Sequence, residues 1–237
     1  MKNTLTPIFK DQHKRDVMII CPGGGYSFCS PREAMPVADV FLEFGFHCAI
    51  MNYRNELNRY PEIVLEGLAQ IEEFAQHPLV GKLFIIGFSA GGHYALLLAS
   101  TKKSWFSGII VCYPVVSSEL DIRHVGSINN LLGINYELYV DEVSIEKRDL
   151  TNMCPLFCWH TMDDQVVKVE NTIRLVQAVH QVGGHVECHL FPKGAHGLSL
   201  ANRHTPFNDV DPLVYEKKYS SIALWVDVVK SWLKTLI

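Results

Sequence analysis

Hydrophobic positions along the chain follow two alternating patterns. Short, nearly continuous apolar runs recur at intervals, and the longer segments between them carry apolar residues at helical spacing. The first pattern predicts strands that are buried on both faces, and the second predicts amphipathic helices. The predicted strands are residues 17–21, 47–53, 83–87, 108–113, 156–160 and 186–191, and the predicted helices are residues 32–45, 61–76, 90–101, 168–182 and 213–236.

This alternation predicts an α/β fold with a mostly parallel central sheet and helices on both faces. No internal repeat, low-complexity tract or linker interrupts residues 1–237, which favours a single domain with a short N-terminus. Residues 117–150 break the alternation, because they are polar and mixed in propensity. An insertion after the carboxyl end of a strand lies over the active site of an α/β enzyme, so we expect a small lid or substrate-facing segment.

The composition of the chain argues against nucleic-acid-binding, membrane and metal-binding proteins. Apolar residues make up 48% of the chain, charged residues 19%, and the net charge is −4, so no basic footprint for nucleic acid exists. The apolar runs are too short for a transmembrane helix, and residues 1–16 do not resemble a signal peptide. Seven scattered cysteines, including the isolated pair Cys154 and Cys158, are typical of reduced, buried thiols rather than of a metal site. We therefore predict a cytoplasmic enzyme without nucleic-acid or membrane partners.

The strongest chemical signal is the sequence Gly-Phe-Ser-Ala-Gly at residues 87–91. It fits the G-x-S-x-G motif and stands between a predicted strand and a predicted helix, which is the context that the motif requires. In that context a strained turn exposes the serine oxygen, and small neighbours permit the close approach of the backbone. The sequence predicts Ser89 as a catalytic nucleophile. The amide of the next residue, Ala90, is expected to donate to the oxyanion of a tetrahedral intermediate.

A serine hydroxyl needs a base to take its proton, and His196 has the expected position for one. It lies in a glycine-flanked loop, Lys-Gly-Ala-His-Gly, after the last predicted strand. The other ten histidines lack this setting, and His93 in the nucleophile helix is more typical of a structural role. The acid that orients the base should come between serine and histidine along the chain. Asp163 and Asp164, which follow the strand at residues 156–160, are both candidates.

Residues 21–26, Cys-Pro-Gly-Gly-Gly-Tyr, follow the first predicted strand and are expected to supply further oxyanion donors. Three successive glycines let the backbone approach a substrate without side-chain clash. The alternative is a phosphate-binding loop, but the segment matches neither G-x-G-x-x-G nor G-K-[ST].

Four segments together carry a family resemblance: CPGGGYSFCSPRE, IGFSAGGHYA, WHTMDDQVVKVENT and FPKGAHGLSL. With them the chain resembles esterases of the α/β-hydrolase fold, in the acetyl-esterase and xylan-esterase-like group, from about residue 15 onward. The resemblance implies Asp163, the first aspartate of its stretch, as the triad acid, and Gly24 and Gly25 as oxyanion donors. Pro22 departs from the histidine of many relatives, and most leading strands of the fold are expected to be missing.

The same resemblance implies hydrolysis of short acyl esters, including acetyl esters of sugars, with no metal or organic cofactor. The expected partner is a small ester substrate, and a homodimer remains open. Two other functions stay open at this point: a small peptidase of the prolyl-oligopeptidase type, and a binding protein that kept the fold without turnover.

Overall fold

The computed structural model describes residues 3–53 and 59–237, and a seven-stranded sheet lies at its centre. The strand order is β1-β3-β2-β4-β5-β6-β7, and every pair is parallel except β1 with β3. All six predicted strands and the mostly parallel sheet are confirmed. The strands are β1 (Thr4–Ile8), β2 (Arg15–Cys21), β3 (His47–Asn52), β4 (Val80–Phe88), β5 (Phe106–Cys112), β6 (Leu156–Thr161) and β7 (Val186–Phe191).

Strand β1 was not predicted. It pairs antiparallel with β3 at one edge of the sheet, from Thr4 opposite Asn52 to Ile8 opposite Cys48. An edge strand that is half exposed carries no continuous apolar run, so its sequence lacks the signal that marks the buried strands. One leading strand of the fold is therefore present.

The five predicted helices are present, with a difference at the C-terminus, and two further helices, Val125–Leu132 and Tyr136–Tyr139, lie where none was predicted. The helix predicted over residues 213–236 is two helices, which meet at Leu224. Apolar residues keep their helical spacing through the bend, so the pattern did not mark it. The helices are α1 (Met35–Phe44), α2 (Glu62–Ala75), α3 (Ala90–Thr101), α4 (Val125–Leu132), α5 (Tyr136–Tyr139), α6 (Glu170–Gln181), α7 (Pro212–Ala223) and α8 (Trp225–Leu233), with 3₁₀ turns at Pro31–Glu33, Gly133–Asn135 and Ile145–Lys147.

Two hydrophobic cores lie on opposite faces of the sheet. Side chains of β2 alternate between them, with Val17 and Ile19 in one core and Met18 and Ile20 in the other. The first core packs against α2, α3, α4 and α6, and the second packs against α1, α7 and α8. Helices on both faces explain why the strand sequences are almost continuously apolar.

The segment 117–150 contains α4, α5 and the 3₁₀ turn at Ile145–Lys147. Within the described ranges, no helix has the length and apolar character needed to cross a membrane. Cys21, Cys48, Cys112 and Cys158 are buried in the cores, as the sequence predicted, whereas Cys29, Cys154 and Cys188 are only partly buried.

Candidate active site

The turn between β4 and α3 holds Ser89 in a strained backbone conformation, with φ 52° and ψ −121°. Both flanking glycines are required by close backbone contacts. A Cβ on Gly87 would lie 2.2 Å from the carbonyl oxygen of Gly91, and one on Gly91 would lie 2.1 Å from that of Cys21. The structure thus has the strand, sharp turn and helix that the motif predicts, with Ser89 at the carboxyl edge of the sheet.

His196 lies within hydrogen-bond distance of Ser89. Its Nε2 is 2.8 Å from Ser89 Oγ, and its Nδ1 is 2.7 Å from Oδ2 of Asp164. The carboxylate fixes the tautomer, because Nδ1–H donates to it and Nε2 is left to accept the proton of the serine hydroxyl. The structure thus brings together Ser89 and His196, the two residues proposed from the sequence as nucleophile and base.

Asp164 is a fully buried carboxylate with four hydrogen-bond partners. Oδ1 accepts from the amides of Val166 and Val167, at 2.8 and 3.0 Å, and Oδ2 also lies 3.2 Å from His160 Nε2. Burial by itself would raise the pKa of Asp164, but the hydrogen bonds from His160 and His196 outweigh it and hold the pKa well below its usual range. The carboxylate is therefore ionised at neutral pH.

The prediction that Asp163 orients His196 is wrong. Asp163 is exposed, and its Oδ1 accepts from the amide of Gly194 at 2.7 Å instead. The two aspartates occupy consecutive positions of the turn after β6, so their side chains leave the backbone in different directions. Only Asp164 points into the site. Asp163 holds the start of the loop that carries His196.

The loop after β2 faces Ser89 across a cleft of about 400 Å³, to which Gly24, Gly25 and His196 also contribute walls. Gly24 and Gly25 have positive φ, 136° and 62°, and a Cβ on Gly24 would lie 2.0 Å from the carbonyl oxygen of Phe28. Glycine is therefore needed at Gly24 on steric as well as conformational grounds.

Polar side chains from four directions hold this loop. Tyr53 donates its hydroxyl proton to the carbonyl oxygen of Pro22 at 2.5 Å, and Asn130 Nδ2 donates to that of Gly25 at 2.8 Å. The hydroxyl of Tyr26 lies 2.7 Å from His93 Nδ1, and the other ring nitrogen of His93 lies 2.7 Å from the carbonyl oxygen of Val143. The fourth side chain is that of Glu33, which accepts from the amide of Gly23.

His93 has the structural role that its position on α3 suggested. Burial lowers its pKa to about 4, against an opposing effect of the bond to the carbonyl oxygen of Val143. The ring is neutral at pH 7, with Nε2–H as donor to Val143 and Nδ1 as acceptor from Tyr26. It thus links the glycine loop to the segment 117–150.

Glu33 is a buried carboxylate that the sequence analysis did not single out. Its Oε2 accepts from the amide of Gly23 at 2.8 Å, and its Oε1 accepts from the hydroxyl of Tyr113 at 2.6 Å. Burial raises the pKa of Glu33, and the bonds from Tyr113 and Gly23 partly oppose that rise. The ring of Tyr113 meets that of His196 edge-on, with centroids 5.0 Å apart. Glu33 therefore joins the glycine loop to the ring that supports His196.

The neighbouring Arg32 fixes the other side of the His196 loop. Its guanidinium donates to the carbonyl oxygens of Gly197, Thr205 and Pro206 at 2.9, 2.5 and 2.8 Å, and it lies 4.5 Å over the ring of Phe207. No local sequence signal distinguished Arg32 and Glu33 from other charged residues, because their partners lie far away along the chain.

Part of the segment 117–150 lines the cleft. His124, Gly126 and Asn130, at the start and on one side of α4, line it together with Val166 and Phe28. In the part of the chain that the structure describes, no three potential metal ligands cluster at one point.

Comparisons with known proteins identify the family of the chain. A model of the prolyl oligopeptidase family matches residues 64–209, which is more than half of the chain. The chain belongs to the prolyl oligopeptidase family. A curated relative in this comparison is endo-1,4-beta-xylanase B of Butyrivibrio fibrisolvens, 30% identical over 226 residues, with 84% of this chain and 35% of that protein covered. The chain thus spans about a third of the length of that curated relative.

Solved structures of the same fold cover almost the whole chain of this family member. An acetyl ester-xyloside bifunctional hydrolase from Caldicellulosiruptor lactoaceticus superposes with a TM-score of 0.83 at 28% identity, covering 98% of this chain and 87% of the other. A carboxylesterase from Lactobacillus plantarum has a TM-score of 0.77 at 25% identity, covering 98% and 92%. The predicted α/β-hydrolase fold and the resemblance to its esterases are confirmed. The chain has the α/β-hydrolase fold.

Proposed function

We propose that this protein is a serine carboxylesterase that cleaves short acyl esters, with acetyl esters of sugars as its substrate class. The observation that carries the proposal is the continuous hydrogen-bonded chain from Ser89 Oγ through His196 to Asp164, with distances of 2.8 and 2.7 Å, at the wall of an open cleft. Two similar proteins support the substrate class, since one is an acetyl ester-xyloside hydrolase and another is a xylanase.

The proposed reaction needs only these side chains, backbone amides and water. Ser89 Oγ bonds to the carbonyl carbon of the ester while its proton passes to His196 Nε2. The negative charge on the former carbonyl oxygen is met by the amides of Ala90, Gly24 and Gly25, and removal of one such donor costs about 3 kcal/mol of transition-state stabilisation.

Collapse of the tetrahedral intermediate breaks the bond to the alcohol oxygen, which takes the proton from His196. Water then attacks the acyl-enzyme, gives its proton to the same nitrogen, and releases the acid with Ser89 restored. Asp164 stays ionised and stabilises the imidazolium that forms during both acylation and deacylation of Ser89.

Acetate release tests both the mechanism and the substrate class. Wild type and Ser89→Ala are compared on acetylated xylo-oligosaccharides and on 4-nitrophenyl acetate, with fluorophosphonate labelling of Ser89 as a second measurement. We expect wild type to release acetate from both substrates and to be labelled, and the variant to do neither. Cleavage of the nitrophenyl ester alone would support the serine esterase mechanism but would rule out acetyl esters of sugars as the substrate class.

Family membership makes a peptidase the second candidate. Wild-type protein is therefore also tested on aminoacyl-proline amides, and faster cleavage of these than of acetyl esters would favour that candidate. Tight ligand binding without labelling of Ser89 would instead favour a binding protein.

A further inference from the structure

Helix α4 of the segment 117–150 lies against the glycine loop. The side-chain amide of Asn130 donates from Nδ2 to the carbonyl oxygen of Gly25 at 2.8 Å. One turn earlier on the same face of the helix, Ser127 Oγ would lie 3.8 Å from a Cβ on Gly25. Asn130 and Gly25 both line the cleft that contains Ser89. The segment thus contacts the loop that is expected to bind the oxyanion.

The helix that carries Asn130 is itself firmly held. Its residues Ile128 and Leu131 are buried in the first hydrophobic core. Arg59 Nη1 donates to the carbonyl oxygen of Asn130 at 2.6 Å, and the amide of Tyr60 donates to that of Leu131 at 3.1 Å. These contacts fix the backbone of α4 to the residues that precede α2. The side chain of Asn130 therefore extends to the glycine loop from a rigid support.

Hydrogen bonds hold the carbonyl groups of all three loop glycines. Those of Gly23 and Gly24 accept from backbone amides of residues 27–30, at distances between 2.9 and 3.2 Å. The carbonyl of Gly25 accepts from Asn130, and no other residue among those described donates to it. The loop thus restrains two of these peptide groups by its own backbone, whereas α4 restrains the third.

The bond to Asn130 restrains a residue that has little other restraint. Gly25 has φ 62° and no side chain, so neither a rotamer nor a Cβ limits the rotation of its backbone. In a planar trans peptide the N–H points away from the C=O, so a bond that holds the carbonyl also sets the direction of the amide in the same peptide group. Without that bond the loop would lose its restraint at the wall of the cleft that faces Ser89.

We propose that Asn130 is a positioning residue, whose side-chain amide holds Gly25 so that the amides of the glycine loop point at the oxyanion. This inference rests on the proposed function, because it concerns the oxyanion formed in the same site. A donor stabilises the transition state only while its N–H is aimed at the developing charge, and a misplacement of about 1 Å costs about 100-fold in rate. The segment 117–150 therefore contributes to the chemical step as well as to the wall of the cleft.

Two substitutions remove the donor in different ways. Asn130→Leu keeps a branched side chain of similar size without an N–H, and Asn130→Ala removes the side chain beyond Cβ. Asn135→Ala is the matched control, because Asn135 Nδ2 also donates to a backbone carbonyl, that of Tyr60 at 3.2 Å, from the same segment. Urea unfolding of each variant shows whether it keeps its fold.

The measured quantities are kcat and KM on 4-nitrophenyl acetate and the inhibition constant of phenylboronic acid, which forms a tetrahedral adduct with a serine nucleophile. We expect both Asn130 variants to lower kcat by about 10- to 100-fold and to bind the boronic acid more weakly, with little change in KM. Both acylation and deacylation pass through an oxyanion, so kcat falls whichever step limits the rate. Asn135→Ala should match wild type in all three quantities.

Three results would overturn the role of Asn130. They are a wild-type kcat in Asn130→Leu, a rise in KM with unchanged kcat, and an equal loss of kcat in Asn135→Ala. The first would show that the hydrogen bond is not needed, the second that Asn130 binds the substrate directly, and the third that any change in the segment has this effect. If wild type neither cleaves the ester nor is labelled by a fluorophosphonate, the proposed function fails and the inference fails with it. That failure is recognised in wild type before any substitution is made.

Discussion

The hydroxyl of Tyr113 donates to Oε1 of Glu33 over 2.6 Å, and the same tyrosine ring supports His196. The second oxygen of Glu33 accepts from the amide of Gly23 in the glycine loop. One buried carboxylate therefore sets the relative positions of the loop expected to bind the oxyanion and of the base.

Glu33→Gln should lower kcat by about 10- to 100-fold with little change in KM. The glutamine amide cannot accept from both Gly23 and Tyr113, so one buried donor loses its partner, at a cost of about 1–3 kcal/mol. Steady-state kinetics on 4-nitrophenyl acetate measure the effect, and urea unfolding measures the stability. Glu72→Gln, at an exposed position of α2, is the control and should match wild type. A rise in KM as large as the expected fall in kcat, with kcat itself unchanged, would contradict the positioning role of Glu33.

Asp164→Asn should lower kcat by about 10⁴-fold, because asparagine favours the wrong tautomer of His196 and does not stabilise its imidazolium. Asp163→Asn should have a far smaller effect, since Asp163 binds the amide of Gly194 and not the imidazole. Parallel kinetics of both variants decide the assignment. A larger loss in Asp163→Asn than in Asp164→Asn would restore the assignment implied by the family resemblance.

His93 should make the protein less stable as the pH falls from about 6.5 to 4. Its pKa is lowered to about 4 in the folded protein and is about 6.5 in an unfolded chain, so the unfolded state binds more protons between these values. Its contribution is complete above pH 6.5 and is lost progressively down to the folded pKa, by about 3 kcal/mol in all. The free energy of unfolding in urea, measured from pH 7.5 to 4, tests this.

The matching variant is His93→Gln, which keeps polar groups for Tyr26 and Val143 but does not titrate. It should be less stable than wild type at pH 7, and the difference should shrink as the pH falls. If the free energy of unfolding of His93→Gln falls with pH as steeply as that of wild type, groups other than His93 cause the pH dependence.

Gly24→Ala should abolish most of the esterase activity, because its Cβ would lie 2.0 Å from the carbonyl oxygen of Phe28 and the loop would have to move. Gly45→Ala is the matched control. Gly45 also has positive φ, 115°, but a Cβ there meets no atom within 4 Å. We expect Gly45→Ala to lose about 1–2 kcal/mol of stability through backbone strain and to keep its kcat. Similar kcat values for the two variants would argue against a role for the shape of the glycine loop.

The sequence by itself determined the elements whose signals are local. A strand, a nucleophile turn and a glycine-flanked histidine each lie within about ten residues, so Ser89, His196 and the six strands β2 to β7 were predictable. The position of the segment 117–150 over the cleft followed from the rule that loops at the carboxyl ends of parallel strands meet at one edge.

Only the tertiary structure decided between Asp163 and Asp164, because both lie in one turn and the choice depends on where each side chain points toward a loop 32 residues later. The same holds for Glu33 and Tyr113, which are 80 positions apart and become partners only when β2 and β5 lie in one sheet. Sequence patterns report the burial and local geometry of the chain. Hydrogen bonds between distant residues depend on the packing of whole elements, and that packing makes Asp164 and Glu33 part of the site.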